Sequence, residues 1–368
     1  MLYPALNPYA HGWLDVGQGH RMYWEQCGNP QGQPVVYLHG GPGGGCSEIA
    51  RQYFNPQHYR IVLFDQRGCG RSAPQASTQD NTLAHLLADM ELLRQHLQID
   101  RWLLCGVSWG CTLALAYTRA QRARVQGLLL RSVFTAQKSE LAWLYQAGGA
   151  GALAPQAWQD FEHGLDESPK AGGLTPPVAC GASPPLGVEP DLLKAYAQRL
   201  RNGTPTQQML AAQAWCRWEQ AISSVHTSPG VHGGPDTPPN LSPQDAAHCL
   251  AQARIATHYF TQDADLQRPD LLWPPDYLGG IPGILVQGQG DLVSPSVTAW
   301  LLAQQWPGSQ LRMVAEAATS AVICPCAKFL CPLWKKWSSY VCKPIRCRWK
   351  SRQGRCGPCH ALALRSAR

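Results

Sequence analysis

A serine between two glycines is the residue of this chain best suited to covalent chemistry. Residues 103–114 read LLCGVSWGCTLA, so a short apolar run ends at Ser108 and an apolar, helix-forming segment follows directly. Gly106 and Gly110 allow the backbone to turn sharply and hold Ser108 in a strained conformation. Its hydroxyl would project from a sheet edge at a helix N-terminus. The stretch therefore predicts a hydrolase nucleophile, although GxSxG alone also fits an ordinary tight turn.

A glycine-rich loop earlier in the chain could supply hydrogen-bond donors to a reacting oxygen. Residues 35–45 read VVYLHGGPGGG, an apolar strand that runs into a loop too rich in glycine for an ordinary turn. Such a loop brings backbone N–H groups close to a ligand oxygen, as an oxyanion hole requires. We expect the two donors to be the N–H of Gly41 and the N–H of Trp109, which follows the nucleophile.

Three motifs together resemble the proline iminopeptidase family of α/β-hydrolases. They are HGGPGG, DQRGCGRS and GVSWGC, in this order and spacing, and the resemblance covers roughly residues 5 to 317. It implies a serine aminopeptidase, a prolyl aminopeptidase, that releases N-terminal proline from small peptides through an acyl-enzyme. His39 resembles a family position that supports the oxyanion loop. We expect no cofactor and no metal ion.

Asp291 is the candidate for the acid that orients a catalytic base. It lies in VQGQGDLVSP, just past a predicted core strand, and this segment resembles the family's strand and loop with the catalytic aspartate. Pro295 is also in place. The alternative is a turn-forming aspartate after glycine. Its position after the serine and after the predicted cap favours catalysis.

An enzyme that acts on an N-terminal residue must compensate a protonated amine, which calls for a carboxylate. Residues 214–219, AWCRWE, resemble the family's cap motif, whose glutamate contacts the substrate's imino nitrogen. Glu219 is therefore the candidate for amine binding, with a solvated helix glutamate as the alternative, and Trp215 and Trp218 are expected to pack within the cap. A second family carboxylate lies in an ARIExHYF-like segment, but residues 253–260 read ARIATHYF. Ala256 stands where that glutamate would be, which weakens the case for strict proline preference.

The general base is the main departure from the family. In this fold the triad runs Ser, Asp, His along the chain. The family places the histidine in an AGHSA-like turn after the last strand, and the matching residues 314–321 read VAEAATSA. Thr319 thus occupies the histidine position. The one histidine beyond Asp291 is His360, 69 residues further on.

The composition changes at the same point. Residues 319–368 contain 5 Lys, 6 Arg and 7 of the 15 Cys, but no Asp or Glu. This stretch carries +11 and the remainder −4, so the net charge of +7 does not indicate nucleic-acid binding. A reading-frame shift near codon 318 is the simplest explanation. The alternatives are a metal-binding tail, whose Cys and His spacings match no zinc pattern, and a fold-back that brings His360 to the serine as its base.

The elements that must position these residues follow an α/β pattern. Apolar runs predict strands at 35–39, 61–65, 102–108, 125–133, 281–287 and 310–314, and residues 12–27 predict an antiparallel hairpin. Residues 81–97 predict an amphipathic helix capped near Asn81 or Thr82. The alternation predicts a mostly parallel, doubly wound sheet, and the resemblance specifies an α/β-hydrolase fold with an inserted helical cap.

Four segments are expected along the chain. Residues 1–134 form the first part of the core, 135–275 a helical cap, 276–317 the second part of the core, and 318–368 the atypical tail. The cap region contains helical runs at 192–200 and 207–223 and Pro/Gly-rich stretches at 168–190 and 228–243. No run is long enough to span a bilayer and the start lacks a signal-peptide pattern, so we expect a cytoplasmic protein without a membrane or nucleic-acid partner. The pattern does not indicate an oligomeric state.

Three functional hypotheses remain open. The first is a serine aminopeptidase for N-terminal proline, inactive if the base is missing. The second is a carboxylesterase or amidase of the same fold, for which Glu219 would be irrelevant. The third is a non-catalytic, hydrolase-like product of a disrupted gene. Serine rather than aspartate at the elbow argues against a dehalogenase or an epoxide hydrolase.

Overall fold

The computed structural model describes residues 2–166, 191–224, 242–262, 266 and 271–315. Within these ranges eight strands form one sheet. They are β1 (Ala10–Asp15), β2 (Arg21–Gly28), β3 (Gln33–Leu38), β4 (Tyr59–Phe64), β5 (Trp102–Val107), β6 (Val125–Arg131), β7 (Gly283–Gly288) and β8 (Ser309–Val314).

The sheet has the strand order β1-β2-β4-β3-β5-β6-β7-β8. Strands β1 and β2 form the predicted hairpin, and β2 also pairs antiparallel with β4. From β4 to β8 every neighbouring pair is parallel. The predicted mostly parallel sheet is confirmed, and the carboxyl ends of its parallel strands share one edge.

Both faces of the central strands are buried, which explains their continuous apolar runs. Leu104 and Leu130 pack into a large hydrophobic core on one face. Their chain neighbours Leu103 and Leu129 pack into a second core on the other face. Because side chains alternate along a strand, only an unbroken apolar run can fill both cores.

Eight α-helices lie in the described ranges. They are α1 (Leu83–His96), α2 (Trp109–Ala120), α3 (Lys138–Tyr145), α4 (Pro155–His163), α5 (Leu192–Asn202), α6 (Pro205–Ser224), α7 (Pro243–Gln262) and α8 (Ser296–Gln304). The predicted helix at 81–97 is confirmed as α1, with the Thr82 hydroxyl accepting from the His85 N–H. None of these helices is long and apolar enough to cross a membrane.

Helices α3 to α7 are inserted between β6 and β7 and form the helical cap. The predicted runs at 192–200 and 207–223 are confirmed as α5 and α6. Aromatic rings hold the helices together: Phe161 stacks on Tyr196 with 4.4 Å between ring centroids, and Trp218 lies 5.5 Å from Phe161. Trp215 and Trp218 are buried as predicted. The Pro/Gly-rich stretch 168–190 lies outside the described residues, as does 228–243 except its last two residues.

Candidate active site

Ser108 occupies the sharp turn between β5 and α2. Its backbone has φ 51° and ψ −120°, a strained conformation for a residue with a side chain. A Cβ at Gly110 would collide with the Leu38 carbonyl oxygen, and one at Gly106 with the Gly110 carbonyl oxygen. The predicted strand, elbow and helix are therefore all present, and the two glycines are required by close approach of the backbone.

Two backbone hydrogen bonds fix the elbow. The Ser108 N–H donates to the Arg131 carbonyl oxygen at the end of β6, 3.0 Å away, and the Cys111 N–H donates to the Ser108 carbonyl oxygen at 2.7 Å. Ser108 is thus the N-cap of α2, whose first N–H groups have no partner within the helix. The Trp109 N–H is one of these groups, as an oxyanion donor must be.

The glycine-rich loop lies directly against the elbow. A Cβ at Gly40 would be 3.4 Å from the Ser108 Cβ. Gly41 has φ +116°, and a Cβ there would be 2.6 Å from the Gly43 nitrogen. A side chain at Gly41 would be strained and at Gly40 tightly packed, so the loop brings bare backbone to the serine.

His39 fixes this loop and is unsuited to act as a base. Its Nε2 lies 3.0 Å from the Gln66 N–H, which donates to it, and its Nδ1 lies 2.9 Å from the Gly40 carbonyl oxygen. The Gly45 N–H also points at Nδ1, 3.1 Å away. Burial lowers the pKa of His39, which favours the neutral imidazole. Both ring nitrogens are engaged by the backbone.

Gln66 is a supporting residue that sequence reasoning missed. Its amide nitrogen donates to the His39 carbonyl oxygen at 3.0 Å, and its amide oxygen accepts from the Trp109 indole nitrogen at 2.9 Å. One buried side chain therefore joins the glycine-rich loop to the residue after the nucleophile. Its sequence signal is its place in the DQRGCGRS motif, directly after Asp65 at the carboxyl end of β4.

Asp291 lies in the loop after β7, at the same sheet edge as Ser108. Strand β6 separates β5 from β7, so the two strands lie roughly 10 Å apart. One Asp291 oxygen accepts from the N–H groups of Val293 and Ser294, at 3.1 and 2.8 Å. The carboxylate is buried and also shapes its own turn, so the two interpretations of Asp291 are compatible.

Gln287, at the end of β7, anchors the Asp291 loop and was not predicted. Its amide nitrogen donates to the Ser294 carbonyl oxygen at 2.7 Å, while its amide oxygen accepts from the Val133 N–H at 2.8 Å. The side chain is fully buried. It ties the Asp291 loop to the segment that follows β6, beside the elbow.

Strand β8 leads the chain to this same edge. Val314 pairs with Gly288, and its carbonyl oxygen accepts from the Gln289 N–H at 3.0 Å. Strand β8 therefore ends beside the Asp291 loop, where the expected histidine would be needed. Thr319, His360 and the tail cysteines lie outside the described residues.

Glu219, on α6, is held by three donors. One carboxylate oxygen accepts from the Trp215 indole nitrogen at 2.9 Å and from the Tyr145 hydroxyl at 3.3 Å. The other accepts from the Gln252 side-chain amide. Burial raises the pKa of Glu219 to about 7, although the three hydrogen bonds oppose this shift. Glu219 is therefore not a solvated helix residue.

The glycine-rich loop contacts α7 at Gln252, the residue that donates to Glu219. A Cβ at Gly43 would be 2.6 Å from the Gln252 Cα and 3.2 Å from the Ala251 carbonyl oxygen. Gln252 therefore links the glycine-rich loop to the Glu219 carboxylate. Tyr145 and Gln252 were not predicted as site residues, because each is distant from Glu219 in the chain.

Ala256 lies on the face of α7 that points to the elbow. It is one turn from Gln252 and one turn from Phe260, so the three share a face. Phe260 has its ring centroid 6.4 Å from Trp109 and 6.1 Å from Tyr145. Ala256 is fully buried. This face presents an amide, a methyl group and an aromatic ring, with no second carboxylate.

The chain is similar in sequence to a known family and to proteins of known name. Residues 33–166 match the family described as alpha/beta hydrolase fold. A proline iminopeptidase of Xanthomonas citri is 42% identical over 321 residues, covering 87% of this chain and 94% of that protein. A proline iminopeptidase of Arabidopsis thaliana is 39% identical over 325 residues, covering 87% and 77%.

A solved structure is also similar. A proline iminopeptidase-related protein of Thermus thermophilus superposes with a TM-score of 0.50 at 25% identity, covering 90% of this chain and 98% of that one.

Proposed function

Because this chain belongs to the proline iminopeptidase family of α/β-hydrolases, we propose that it is a serine aminopeptidase for small peptides with N-terminal proline. The observation that carries the proposal is the Glu219 carboxylate, held at the junction of the cap and the glycine-rich loop. A carboxylate there suits a protonated amine whose neighbouring carbonyl lies at the elbow.

Ser108 is the proposed nucleophile. Its Oγ forms a bond to the carbonyl carbon of the N-terminal residue, the C=O electron pair moves to the oxygen, and the hydroxyl proton passes to a general base, the role of the family's histidine. The N–H groups of Trp109 and Gly41 stabilise the oxyanion that forms. The bond to the next residue then breaks, the leaving nitrogen takes a proton, and water releases the acyl group.

Glu219 is proposed to bind the substrate's amine. Three of about four acceptor positions on the carboxylate are occupied by Trp215, Tyr145 and Gln252, which leaves one for an ammonium N–H. The rings of Trp109, Tyr145 and Phe260 lie nearby and would pack against an apolar pyrrolidine ring.

We propose that the proton-transfer step limits this chain. Asp291 supports a histidine in this fold, and Thr319 stands in its place. A threonine hydroxyl does not take up a proton at neutral pH. Loss of one triad member leaves only about 10³–10⁴-fold acceleration over water, from binding and the oxyanion hole.

Ala256 is the observation that favours the carboxylesterase alternative. It puts a methyl group on the α7 face where the family resemblance implies a second carboxylate. A neutral acyl ester needs no amine partner, so this face would suit it equally well.

A variant in which the histidine is restored separates the two functions. This variant, the parent for the comparison, carries Ala318→Gly and Thr319→His, and kcat/KM is measured for a Pro-arylamide and for a neutral acyl ester. Adding Glu219→Gln should lower kcat/KM for the Pro-arylamide by roughly 30- to 1000-fold, because a buried charged pair loses one partner. The ester value should barely change. Glu162→Gln, an exposed cap glutamate on α4, is the matched control and should alter neither substrate.

The ratio of Pro-arylamide to ester values decides the outcome. If this ratio agrees within about threefold between the parent and Glu219→Gln, Glu219 does not bind the substrate's amine. The esterase hypothesis would then replace the aminopeptidase.

A further inference from the structure

Two cysteines face each other between the cap helices α6 and α7. The Cys216 thiol lies 3.8 Å from the Cys249 carbonyl oxygen, and the two thiols are close enough to shift each other's pKa. Both residues are half-buried, so small reagents can reach them. No other such pair of thiols occurs among the free cysteines of the described residues, most of which are buried.

The pair lies one helical turn from the candidate amine site. Cys216 precedes Glu219 by three residues, and Cys249 precedes Gln252 by three residues. The Cys216–Cys249 contact and the Glu219–Gln252 contact are therefore neighbouring contacts between α6 and α7.

We propose that Cys216 and Cys249 form a dithiol site that reacts with low-molecular-weight disulfides and closes to a disulfide between α6 and α7. The proposal does not depend on the aminopeptidase function. It rests on the facing thiols, their partial exposure and their position on two packed helices.

The two thiols differ in acidity, which gives them different roles in the exchange. The interaction with the Cys216 side chain lowers the pKa of Cys249, and Arg217 acts in the same direction, while burial, Asp245 and Glu219 oppose it. The same interaction raises the pKa of Cys216. Since the thiolate is the nucleophile, Cys249 attacks first and Cys216 resolves.

The exchange balances with glutathione disulfide as oxidant. The Cys249 thiolate attacks one glutathione sulfur, a new S–S bond forms, and one glutathione thiolate leaves. With the Cys249 charge gone, Cys216 loses its proton more readily and attacks the Cys249 sulfur. The second glutathione leaves as a thiolate, so two protein thiols are oxidised and one disulfide is reduced to two thiols.

The closed disulfide would fix the spacing of the two helices. A disulfide requires its Cβ atoms to lie roughly 3.5–4.5 Å apart. The constraint acts one turn before Glu219 and Gln252, so it also fixes the contact through which α7 holds the cap carboxylate.

The test uses the full chain, incubated with glutathione disulfide, alkylated, digested with trypsin and analysed by mass spectrometry. The expected product joins peptides 202–217 and 218–254, which carry Cys216 and Cys249, and dithiothreitol should separate them. A Cys249–glutathione adduct without the joined pair would overturn the proposal. Joining of Cys249 to any other cysteine would do the same.

Two variants separate the roles of the thiols. Cys216→Ser keeps a hydroxyl donor, so Cys249 should alkylate within about threefold of the native rate but stop at the glutathione adduct. Cys216→Ala removes the donor, and the alkylation rate near neutral pH should fall at least fivefold by an order-of-magnitude expectation. Cys46→Ser is the control and should change neither result. Equal Cys249 alkylation rates in Cys216→Ala and the native chain would contradict the assigned activation.

Discussion

At the scale of single residues, the site depends on side chains that hold other groups in place. The strained backbone of Ser108 is fixed by the Arg131 carbonyl on one side and the first turn of α2 on the other. His39 and Gln66 hold the glycine-rich loop, and Gln287 holds the Asp291 loop. A conformation of this kind costs about 1–3 kcal/mol and persists only where its surroundings fix it.

Ser108 should react slowly with a fluorophosphonate in the chain as it stands. The elbow and the glycine-rich loop are present, but a hydroxyl without a base stays protonated and is a weak nucleophile. We expect labelling at least about 100-fold slower than in the Ala318→Gly/Thr319→His parent, measured by intact-protein mass. Ser108→Ala should remove the label from both proteins. Fast, stoichiometric labelling of the native chain would show that another base serves Ser108.

Glu219 should make folding stability depend on pH. Its folded pKa of about 7 lies above the ordinary value of 4.5, so its contribution is complete below pH 4.5 and is lost as pH rises through 7. Glu219→Gln removes this loss. Its free energy of unfolding, relative to the native chain, should therefore rise by roughly 2–3 kcal/mol between pH 5 and pH 8.

Urea unfolding at the two pH values measures this change. Any constant effect of the substitution on packing cancels in the comparison. Glu162→Gln, on the exposed face of α4, should show no such trend. A Glu219→Gln difference that stays constant between pH 5 and pH 8 would mean that the carboxylate is not raised by burial.

Sequence reasoning identified residues with local signals and missed those with distant partners. Ser108, Gly106 and Gly110 lie within five positions, and their spacing alone carries the geometry. Gln252 contacts a carboxylate 33 positions away, and Gln287 contacts a backbone group 154 positions away. A glutamine carries no periodic signal that reports such a partner.

At the scale of elements, one edge of the sheet brings the candidate site residues together. Ser108 follows β5, Asp291 lies after β7, and the glycine-rich loop follows β3. Their shared direction places all three loops at one edge. The contact between β3 and α2 at Gly110 sets how closely the loop approaches the elbow.

Gly110→Ala should destabilise the protein strongly. The new Cβ would collide with the Leu38 carbonyl oxygen, a backbone atom of β3 that cannot move alone. We expect a loss of roughly 3 kcal/mol or more in urea unfolding. Gly12→Ala in β1 is the control, because its Cβ would lie 3.5 Å from Trp24, an ordinary contact. A loss below about 1 kcal/mol for Gly110→Ala would contradict the close approach.

The strands and α1 could be predicted, whereas α7 could not. Continuous apolar runs mark strands buried on both faces, and α1 has one apolar face. Helix α7 is buried on several sides, since Ala253, Ile255 and Thr257 are as covered as Ala256. Burial on several sides leaves no single stripe with a helical period.

At the scale of the whole molecule, the chain divides into two parts of different composition. Residues 1–318 contain 20 basic and 24 acidic residues, and their motifs are those of the family. Residues 319–368 carry +11 without an acidic residue. Ser108, the glycine-rich loop, Asp291 and Glu219, to which we assign roles in the proposed reaction, all belong to the first part. The histidine position falls at the start of the second.

The most direct test is the Pro-arylamide kcat/KM of the native full chain and of the Ala318→Gly/Thr319→His variant. The account predicts that the variant gains at least about 10³-fold, because a histidine then joins Ser108 and Asp291. Adding Ser108→Ala or Asp291→Asn should abolish most of the gain. A native chain that already matches the variant, or a variant that gains nothing, would contradict the claim that Thr319 limits this enzyme.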